Sequence, residues 1–237
     1  EIKPIKFLKN KKKELSINNE KVFFFLTSRM TSENKNTFFK DIKNIIPGSI
    51  FRINSNNDYI SENYAINKKY NNINQEDYYE YLSKKISIPD HNPIGLFYSG
   101  GYDSSFILEL LLQKNKKFNI YSIYENDEFN KEENNNIRKN IDLFKRESIN
   151  FYTIPHEDLK IIDHGKETVQ NLDFPFPDAS MICHHLLCKL AKSKDTRVIL
   201  SGNGGDEIFF GYFNHVYSFL ASLLKEKNLI DFYKFFV

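Results

Sequence analysis

The chain has 237 residues, of which 41% are hydrophobic and 15% aromatic, and this is enough for one large globular domain or for one domain and part of another. A net charge of +2 gives no electrostatic reason to expect nucleic acid or a membrane as a partner, and no apolar run reaches the roughly 20 residues of a membrane span. Two cysteines, Cys183 and Cys188, do not form a disulfide framework, which predicts a cytoplasmic protein.

The N-terminal part of the chain is charged and irregular, and its pattern predicts a partial α+β segment. Residues KVFFFLTS (Lys21–Ser28) are expected to form a buried helix or strand, because so short a run does not distinguish the two. Residues Thr37–Asn54 are predicted to form a short helix, a turn at Pro47-Gly48 and a strand. The stretch Asp58–Ile66 alternates as a pairing strand does.

A polar linker at Lys68–Asp77 indicates a domain boundary, so we predict one domain over residues 1–70 and a second over residues 71–237. A helix over Gln75–Ile88 is expected to open the second domain. The chain begins with Glu and finishes on the aromatic run DFYKFFV, and both ends are interpreted as cut from a longer protein. The abundant Asn, Lys and Ile residues are interpreted as a result of AT-rich coding rather than as a functional signal.

Beyond residue 90 the pattern changes to alternating strands and helices. Apolar strands rich in β-branched residues and separated by helices predict a doubly wound α/β fold, in which helices cover both faces of a parallel sheet. The predicted strands are Ile94–Tyr98, Phe118–Tyr124, Ile149–Ile154 and Arg197–Ser201, and the predicted helices are Asp103–Gln113, a charged helix as far as Arg146, and Met181–Ala191.

The first strand runs into SGGYDSS, Ser99–Ser105, which we call the first glycine loop. A glycine turn between a strand and a helix exposes the first amides of the helix to an anion such as phosphate. The loop has no P-loop lysine but carries an acid, Asp103, which would repel phosphate unless Mg²⁺ lay between them.

The last strand runs into SGNGGDE, Ser201–Glu207, the second glycine loop, which supplies a second acid, Asp206. If the strands are ordered 3-2-1-4, both loops leave the carboxyl ends of neighbouring strands, where ligands bind in such folds. Asp103 and Asp206 could then share one metal ion. The alternative is that each glycine cluster is only a tight turn with a capping residue.

The first loop resembles the SGGxDS loop of ATP-pyrophosphatases, and SGNGGDEIFFGY resembles the SGxGxDExFxGY signature of the asparagine synthetase family, which includes β-lactam synthetases and lasso-peptide cyclases. Residues Asn171–Met181 are similar to the E-x-P-x-x-D-x-S segment of that family, with Asp173, Pro175, Asp178 and Ser180 at its fixed positions. Residues TFFKDIKNIIPGSIFRI are similar to the last hairpin of its glutamine amidotransferase domain. The resemblance covers Thr37–Tyr212.

The resemblance implies an adenine nucleotide α-hydrolase-like fold, with ATP and Mg²⁺ as cofactors. It implies that the metal is held by Asp103 and Asp206, that the backbone of Phe97 and Ile123 reads the adenine, and that Asn203 lies beside the adenylate. The remaining implied contacts are to the pyrophosphate from Ser99, Gly100, Gly101, Asp103, Ser104 and Ser105, and to the nucleotide from Ser201 and Gly202.

The implied reaction converts a carboxylate into an acyl-adenylate with release of pyrophosphate, and ammonia or an amine then displaces AMP to form an amide. The partners are therefore a small-molecule or peptide carboxylate and an ammonia or amine donor, with a homodimer left open. Asn203 stands where asparagine synthetases carry Glu, and Asn cannot take up a proton at pH 7. No N-terminal nucleophilic Cys is present and the C-terminal lysine of the family would lie beyond Val237, so the segment alone is expected to be inactive.

Three other functions are weighed against asparagine synthesis: a lasso-peptide cyclase, a tRNA-modifying ATP-pyrophosphatase and a non-catalytic nucleotide-binding module. The tRNA enzyme is disfavoured because it would need a basic surface. The sequence CHHLLC, Cys183–Cys188, is expected to be ordinary helix packing rather than a metal site, since four converging ligands are not evident. Tyr212 is interpreted as a packing residue and Glu207 as a helix cap.

Overall fold

The fold is described from a computed structural model. The structure describes residues 15–31, 35–46, 48–54, 59–63, 75–86, 88, 93–124, 131–146, 149–172 and 174–235. The chain divides into two compact units, one made of Glu1–Lys85 with Leu159–Leu186 and the other of Ile86–Asp158 with Leu187–Val237. The domain boundary predicted between residues 70 and 71 lies outside the described residues and stays a prediction.

In the first unit, the phenylalanine run forms a helix, α1 (Asn19–Ser28), which begins where the Asn18 side chain accepts a hydrogen bond from the Lys21 amide. The prediction that this run is buried is wrong. Phe23 and Leu26 are 70% and 73% exposed, whereas Lys21 is buried. The apolar letters were therefore a poor guide to burial in this helix.

The short helix predicted within Thr37–Asn54 does not form over residues 37–46. The Thr37 hydroxyl instead accepts from the Phe39 amide at 3.1 Å and donates to the Ile42 carbonyl at 2.8 Å. The Phe38 carbonyl accepts from the Asn18 amide and the Lys40 amide donates to the Ser16 carbonyl, each at 2.9 Å, so these backbone groups are bonded outside a helix. A bridge between Asn36 and Lys43 closes the segment as an irregular turn.

The predicted hairpin of the first unit is confirmed where it is described. Strands β1 (Ser49–Ile53) and β2 (Tyr59–Asn63) pair antiparallel. Pro47 and residues 64–66 lie outside the described residues. Helix α2 (Gln75–Lys85) follows and ends earlier than the predicted Ile88.

The second unit contains a four-stranded parallel sheet in the order β5-β4-β3-β6, which is the predicted order 3-2-1-4. Its strands lie within a residue or two of the predicted ones, and the fold is α/β and doubly wound. The strands are β3 (Ile94–Phe97), β4 (Phe118–Tyr124), β5 (Asn150–Pro155) and β6 (Val198–Ser201), with helices α3 (Tyr102–Gln113) and α4 (Lys131–Arg146) following β3 and β4.

Helices cover both faces of this sheet because its strand residues alternate between two apolar clusters. The larger cluster packs sheet residues against α3 and α4, which contribute, among others, Leu108, Leu111, Ile137 and Phe144. The smaller cluster packs Phe97 and Tyr121 against Leu187 and Ala191, which lie on α6 (Ser180–Ser193), a helix preceded by α5 (Ile161–Leu172).

A polar cluster at the amino end of the sheet joins β4, β5 and Thr196, which precedes β6; its Asn119, Tyr121 and Thr196 side chains are buried and its Asn150 side chain is exposed. The hydroxyls of Tyr121 and Thr196 are 2.7 Å apart, and the Asn119 amide donates to the Thr196 hydroxyl at 3.2 Å. Asn150 donates to the Asn119 side chain at 3.0 Å, which adds β5 to the cluster. Sliding any of these strands by one residue would break the cluster, so it fixes the register of the sheet.

Three further helices follow β6, and the sequence did not predict their bounds: α7 (Gly205–Phe209), α8 (Phe213–Lys225) and α9 (Leu229–Lys234). Helix α5 was not predicted either. Among the described residues, no helix is both long enough and apolar enough to cross a membrane.

Candidate functional site

The first glycine loop is closed by its own hydrogen bonds. The Ser104 hydroxyl donates to the Gly101 carbonyl at 3.1 Å and accepts from the Ser99 amide at 3.3 Å. The Gly101 amide in turn donates to the Ser99 hydroxyl at 3.2 Å. Ser104 is only 5% exposed, so its hydroxyl shapes the loop from inside.

Gly100 adopts a backbone conformation that only glycine tolerates well at this place. Its φ is +84°, and a Cβ atom there would collide with the carbonyl oxygen of Glu133 and lie 3.1 Å from the Ile137 side chain. Both obstacles lie on α4, so the loop and this helix can approach closely only because residue 100 has no side chain.

Helix α3 presents its first amides at the loop without a side-chain cap. Its N-cap is Gly101, which provides no capping hydrogen bond, and Asp103 lies in its first turn. Uncapped amides at the start of a twelve-residue helix suit a phosphate group. The residues of the first loop therefore fit the phosphates of a nucleotide.

Two asparagines of α4, which the sequence did not indicate as functional, donate hydrogen bonds to the first loop and to the residue before it. Asn136 donates to the Gly100 carbonyl at 3.0 Å. Asn140 donates to the hydroxyl of Tyr98 at 2.7 Å, and Ser105 also lies 3.5 Å from that hydroxyl. Ser105, predicted to contact pyrophosphate, thus turns its hydroxyl towards Tyr98.

The second glycine loop lies directly against the first. A Cβ atom at Gly202 would lie 2.8 Å from the Cβ of Asp103 and 2.9 Å from the Ser104 amide nitrogen, and one at Gly205 would collide with the Asp103 carboxylate. Since Gly205 immediately precedes Asp206, the structure brings the two predicted acids to one place.

The negative charges of this place act on one another. Burial first, and then the charges of Asp206 and Glu207, raise the pKa of Asp103 above its ordinary value. The charges of Glu207 and Asp206 and a hydrogen bond to Asp206 raise the pKa of Tyr212, whose half-exposed ring packs edge-on against His215 at 5.2 Å. Two carboxylates that repel one another, those of Asp103 and Asp206, beside a loop that fits phosphate, suit a magnesium ion.

The rest of the second loop is open. Asn203 is exposed, and its backbone amide donates to the Ser201 hydroxyl at 3.4 Å. Gly204 has a φ of +95°, and nothing lies within 4 Å of the position its Cβ would take. The predicted nucleotide contacts Ser201 and Gly202 therefore lie on the part of the loop that touches Asp103, and Asn203 lies on its open part.

The two residues predicted to read adenine lie at the carboxyl ends of adjacent strands. Phe97 is the last residue of β3 and pairs with Tyr121. The Tyr121 carbonyl accepts from the Tyr98 amide at 3.0 Å, so the backbone groups of Ile123, two residues further along β4, face the same side. Because β3 has ended by then, the Ile123 groups face the space beside the first loop.

The segment similar to E-x-P-x-x-D-x-S belongs to the first unit and is described by itself. Asp173 lies outside the described residues. Asp178 accepts a hydrogen bond from the Ser180 amide at 2.8 Å, at the start of α6. Burial raises the pKa of the Cys183 and Cys188 thiols. In the described part of the chain, no group of three or more His, Cys, Asp and Glu residues is arranged to hold a metal ion.

A parallel sheet in this order, with glycine loops leaving the neighbouring strands β3 and β6, defines the adenine nucleotide α-hydrolase-like class of fold. Within that class, the model of the asparagine synthase family matches residues 86–230, which is well over half of the 237 residues. The chain belongs to the asparagine synthase family.

Two curated relatives support this assignment. The chain is 27% identical over 146 residues to a putative asparagine synthetase [glutamine-hydrolyzing] 2 of Methanocaldococcus jannaschii, which covers 62% of this chain and 28% of the relative. It is 26% identical over 214 residues to asparagine synthetase [glutamine-hydrolyzing] 1 of Bacillus subtilis, which covers 84% of this chain and 32% of the relative. The chain therefore spans less than a third of the length of either relative.

Proposed function

We propose that this chain is the ATP-binding part of an enzyme that forms amides at the expense of ATP. A carboxylate attacks the α-phosphate of ATP, an acyl-adenylate forms and pyrophosphate leaves, and ammonia or an amine then displaces AMP. Both relatives carry the words "glutamine-hydrolyzing" in their names, which supports glutamine as the source of nitrogen in the whole protein.

The observation that carries the proposal is the contact between the two glycine loops. The Asp103 carboxylate lies against Gly205, next to Asp206, and beside the uncapped start of α3. A nucleotide needs amides for its phosphates and carboxylates for the accompanying cation, and this place offers both.

Each residue then has a defined part in binding. Asp103 and Asp206 would hold Mg²⁺, which would neutralise the charge that develops on the phosphates. The first amides of α3 and the Ser99 hydroxyl, which accepts from the Gly101 amide, would hold the phosphates. The backbone groups of Phe97 and Ile123 orient the adenine, so that the α-phosphate is presented to the attacking carboxylate.

Asn203 bears on the identity of the carboxylate substrate. It is exposed on the open part of the second loop, and an amide side chain does not take up a proton at pH 7. A group there can position the adenylate by hydrogen bonds but cannot serve as a base. This feature favours a second candidate, in which the substrate is a peptide acid, as in a lasso-peptide cyclase.

Calorimetric titration of the chain with ATP, with and without Mg²⁺, tests nucleotide binding. We expect binding that needs the metal, and we expect Asp103→Asn and Asp206→Asn each to weaken it about 10-fold or more, because each removes one metal ligand. Asp142→Asn is the matched control, since Asp142 is exposed on α4 and its neutralisation should leave affinity within about twofold. Metal-independent binding, or equal effects of all three changes, would argue against a shared magnesium site.

Pyrophosphate release by the full-length protein tests the reaction, because the chain alone is expected to bind ATP without completing an amide. Release that requires aspartate supports asparagine synthesis, and release that requires a peptide acid supports the cyclase. Release stimulated by tRNA would indicate a tRNA-modifying enzyme instead. ATP binding without release for any acid would make the protein a nucleotide-binding module and would overturn the proposed reaction.

A further inference from the structure

One face of α4 is fitted to the first glycine loop along its length. Its residues meet the loop or the strand end before it in succession: Glu133, Asn136, Ile137, Asn140 and Phe144. Their spacing of three or four residues places them on one side of the helix. Two of these contacts, from Asn136 and Asn140, are hydrogen bonds donated by side-chain amides.

The bond from Asn136 determines which way one peptide group of the loop faces. Asn136 holds the Gly100 carbonyl at 3.0 Å. The peptide between Gly100 and Gly101 is planar and trans, so its N–H points away from its C=O. Holding the carbonyl towards α4 therefore directs the Gly101 amide to the opposite side, where it meets the Ser99 hydroxyl at 3.2 Å.

A peptide between two glycines needs such a hold. Neither residue has a Cβ to disfavour the flipped orientation, in which the carbonyl would face the phosphate site and repel an anion. The φ of Gly100 is +84°, and glycine adopts positive φ values about as readily as negative ones. The Asn136 amide on α4 stabilises the orientation in which the Gly100 carbonyl faces α4, and it therefore disfavours the flipped orientation.

The second bond fixes α4 itself in place. Asn140 donates to the hydroxyl of Tyr98 at 2.7 Å, and the Tyr98 ring, which is 1% exposed, packs edge-on against Phe144 at 5.8 Å. Tyr98 immediately precedes the first loop. Helix α4 is therefore hydrogen-bonded to the residue that follows β3, and this bond keeps the Asn136 amide beside Gly100.

We infer that Asn136 is a positioning residue for nucleotide binding: by holding the Gly100 carbonyl it turns that carbonyl away from the phosphates and places the Gly101 amide on their side of the loop, where the amide also orients the Ser99 hydroxyl. This inference rests on the proposed function of the first loop.

The test compares Asn136→Ala and Asn136→Asp with the wild-type chain and with Asn135→Ala. Asn135 is adjacent on the same helix and, among the described residues, makes no hydrogen bond to the loop. An ionised Asp has the size of Asn but cannot donate, so both changes at position 136 remove the same bond. The probes are magnesium pyrophosphate and ATP with Mg²⁺, added to the chain and followed by calorimetry, together with amide NMR of Gly101.

We expect both changes at position 136 to weaken pyrophosphate binding about five- to tenfold, the size of one lost hydrogen bond, and Asn135→Ala to leave it within about twofold. The Gly101 amide resonance should shift on adding pyrophosphate to the wild type and to Asn135→Ala, but not to the Asn136 variants. Melting curves identify a variant that has simply unfolded, and if Asn136→Ala does so, Asn136→Asp, which keeps the size of the side chain, carries the same expectation.

The outcomes separate the two ideas. If the wild-type chain binds neither probe, the proposed nucleotide site fails and this inference fails with it. If the wild type binds and the Asn136 variants bind equally well, with the Gly101 resonance still shifting, the nucleotide site stands and the positioning role of Asn136 is overturned.

Discussion

The two glycine loops share a pattern of Ser, Gly and Asp, but they differ in how the rest of the chain encloses them. The first loop is held by hydrogen bonds of its own Ser104 hydroxyl, and its Gly100 is in close contact with α4. The second touches the first at Gly202 and Gly205 but is open at Asn203 and Gly204. Similar sequence therefore produces one tightly constrained loop and one loosely constrained loop in the same site.

This difference indicates a division of labour between fixed and adjustable parts. On the proposed function, the first loop would supply phosphate contacts, which are the same for any carboxylate substrate, and its support by α4 would keep them constant. The second loop would supply Asp206 for the metal and has, on its open side, a residue that faces solvent. Substitutions should therefore cost more stability in the first loop than in the open part of the second, at Asn203 and Gly204.

The largest expected difference lies between Gly100→Ala and Gly204→Ala. Both positions have positive φ, so each change should strain the backbone by about 1 kcal/mol. At Gly100 the methyl group also meets the backbone of α4, so we expect a loss of unfolding free energy of about 3 kcal/mol or more, against about 1 kcal/mol at Gly204. Urea titrations of the two variants measure this, and equal losses would contradict the comparison.

A smaller difference is expected between Ser104→Ala and Ser201→Ala. The first change removes a buried hydroxyl that bonds the Ser99 amide and the Gly101 carbonyl and should cost about 1–2 kcal/mol. The second removes one long bond, at 3.4 Å to the Asn203 amide, and should stay within about 0.5 kcal/mol. The same urea titrations decide it, and a larger cost for Ser201→Ala would reverse the comparison.

The smallest expected effect is a gain of stability on neutralising Asp103. Its pKa is raised in the folded chain, so ionisation opposes folding at neutral pH and Asp103→Asn should raise the melting temperature by roughly 1–3 °C. The gain should shrink as the pH falls towards the raised pKa, because the wild-type carboxyl then becomes neutral too. Melting curves without Mg²⁺ measure it, with Asp142→Asn as the control. A lower melting temperature for Asp103→Asn would mean that the repulsion is not the dominant effect.

The parts of the fold that the sequence predicted well have two agreeing signals. The stretch FNIYSIY was predicted as a strand with its observed bounds, Phe118–Tyr124, because β-branched and aromatic residues fill it and polar turns flank it. The glycine loops were identified by the change from strand to helix on either side of them. The strand order was an assumption that the family resemblance implied and the sequence did not prove, and the structure confirms that order.

The failures come from interactions that a sequence pattern does not contain. The segment around Thr37 was predicted to be a helix, but its backbone pairs with residues 16 and 18, which are distant in the pattern. Helix α5 was not predicted; its buried side chain is that of Thr168, whereas Ile161 and Ile162 are exposed. Asn136 and Asn140 were hidden by composition, since in an Asn-rich chain they read as coding bias. Only their contacts with Gly100 and Tyr98 distinguish them.

The polar cluster of Asn119, Tyr121, Thr196 and Asn150, in which Asn150 is exposed and the other three side chains are buried, lies at the end of the sheet away from the glycine loops. It ties β4 to β5 and to the segment before β6, away from the proposed nucleotide site. Loops at the far edge can therefore be lengthened, shortened or exchanged during evolution or engineering while the strands keep their alignment. The fold thus separates the residues that keep the strands aligned from the loops that can change.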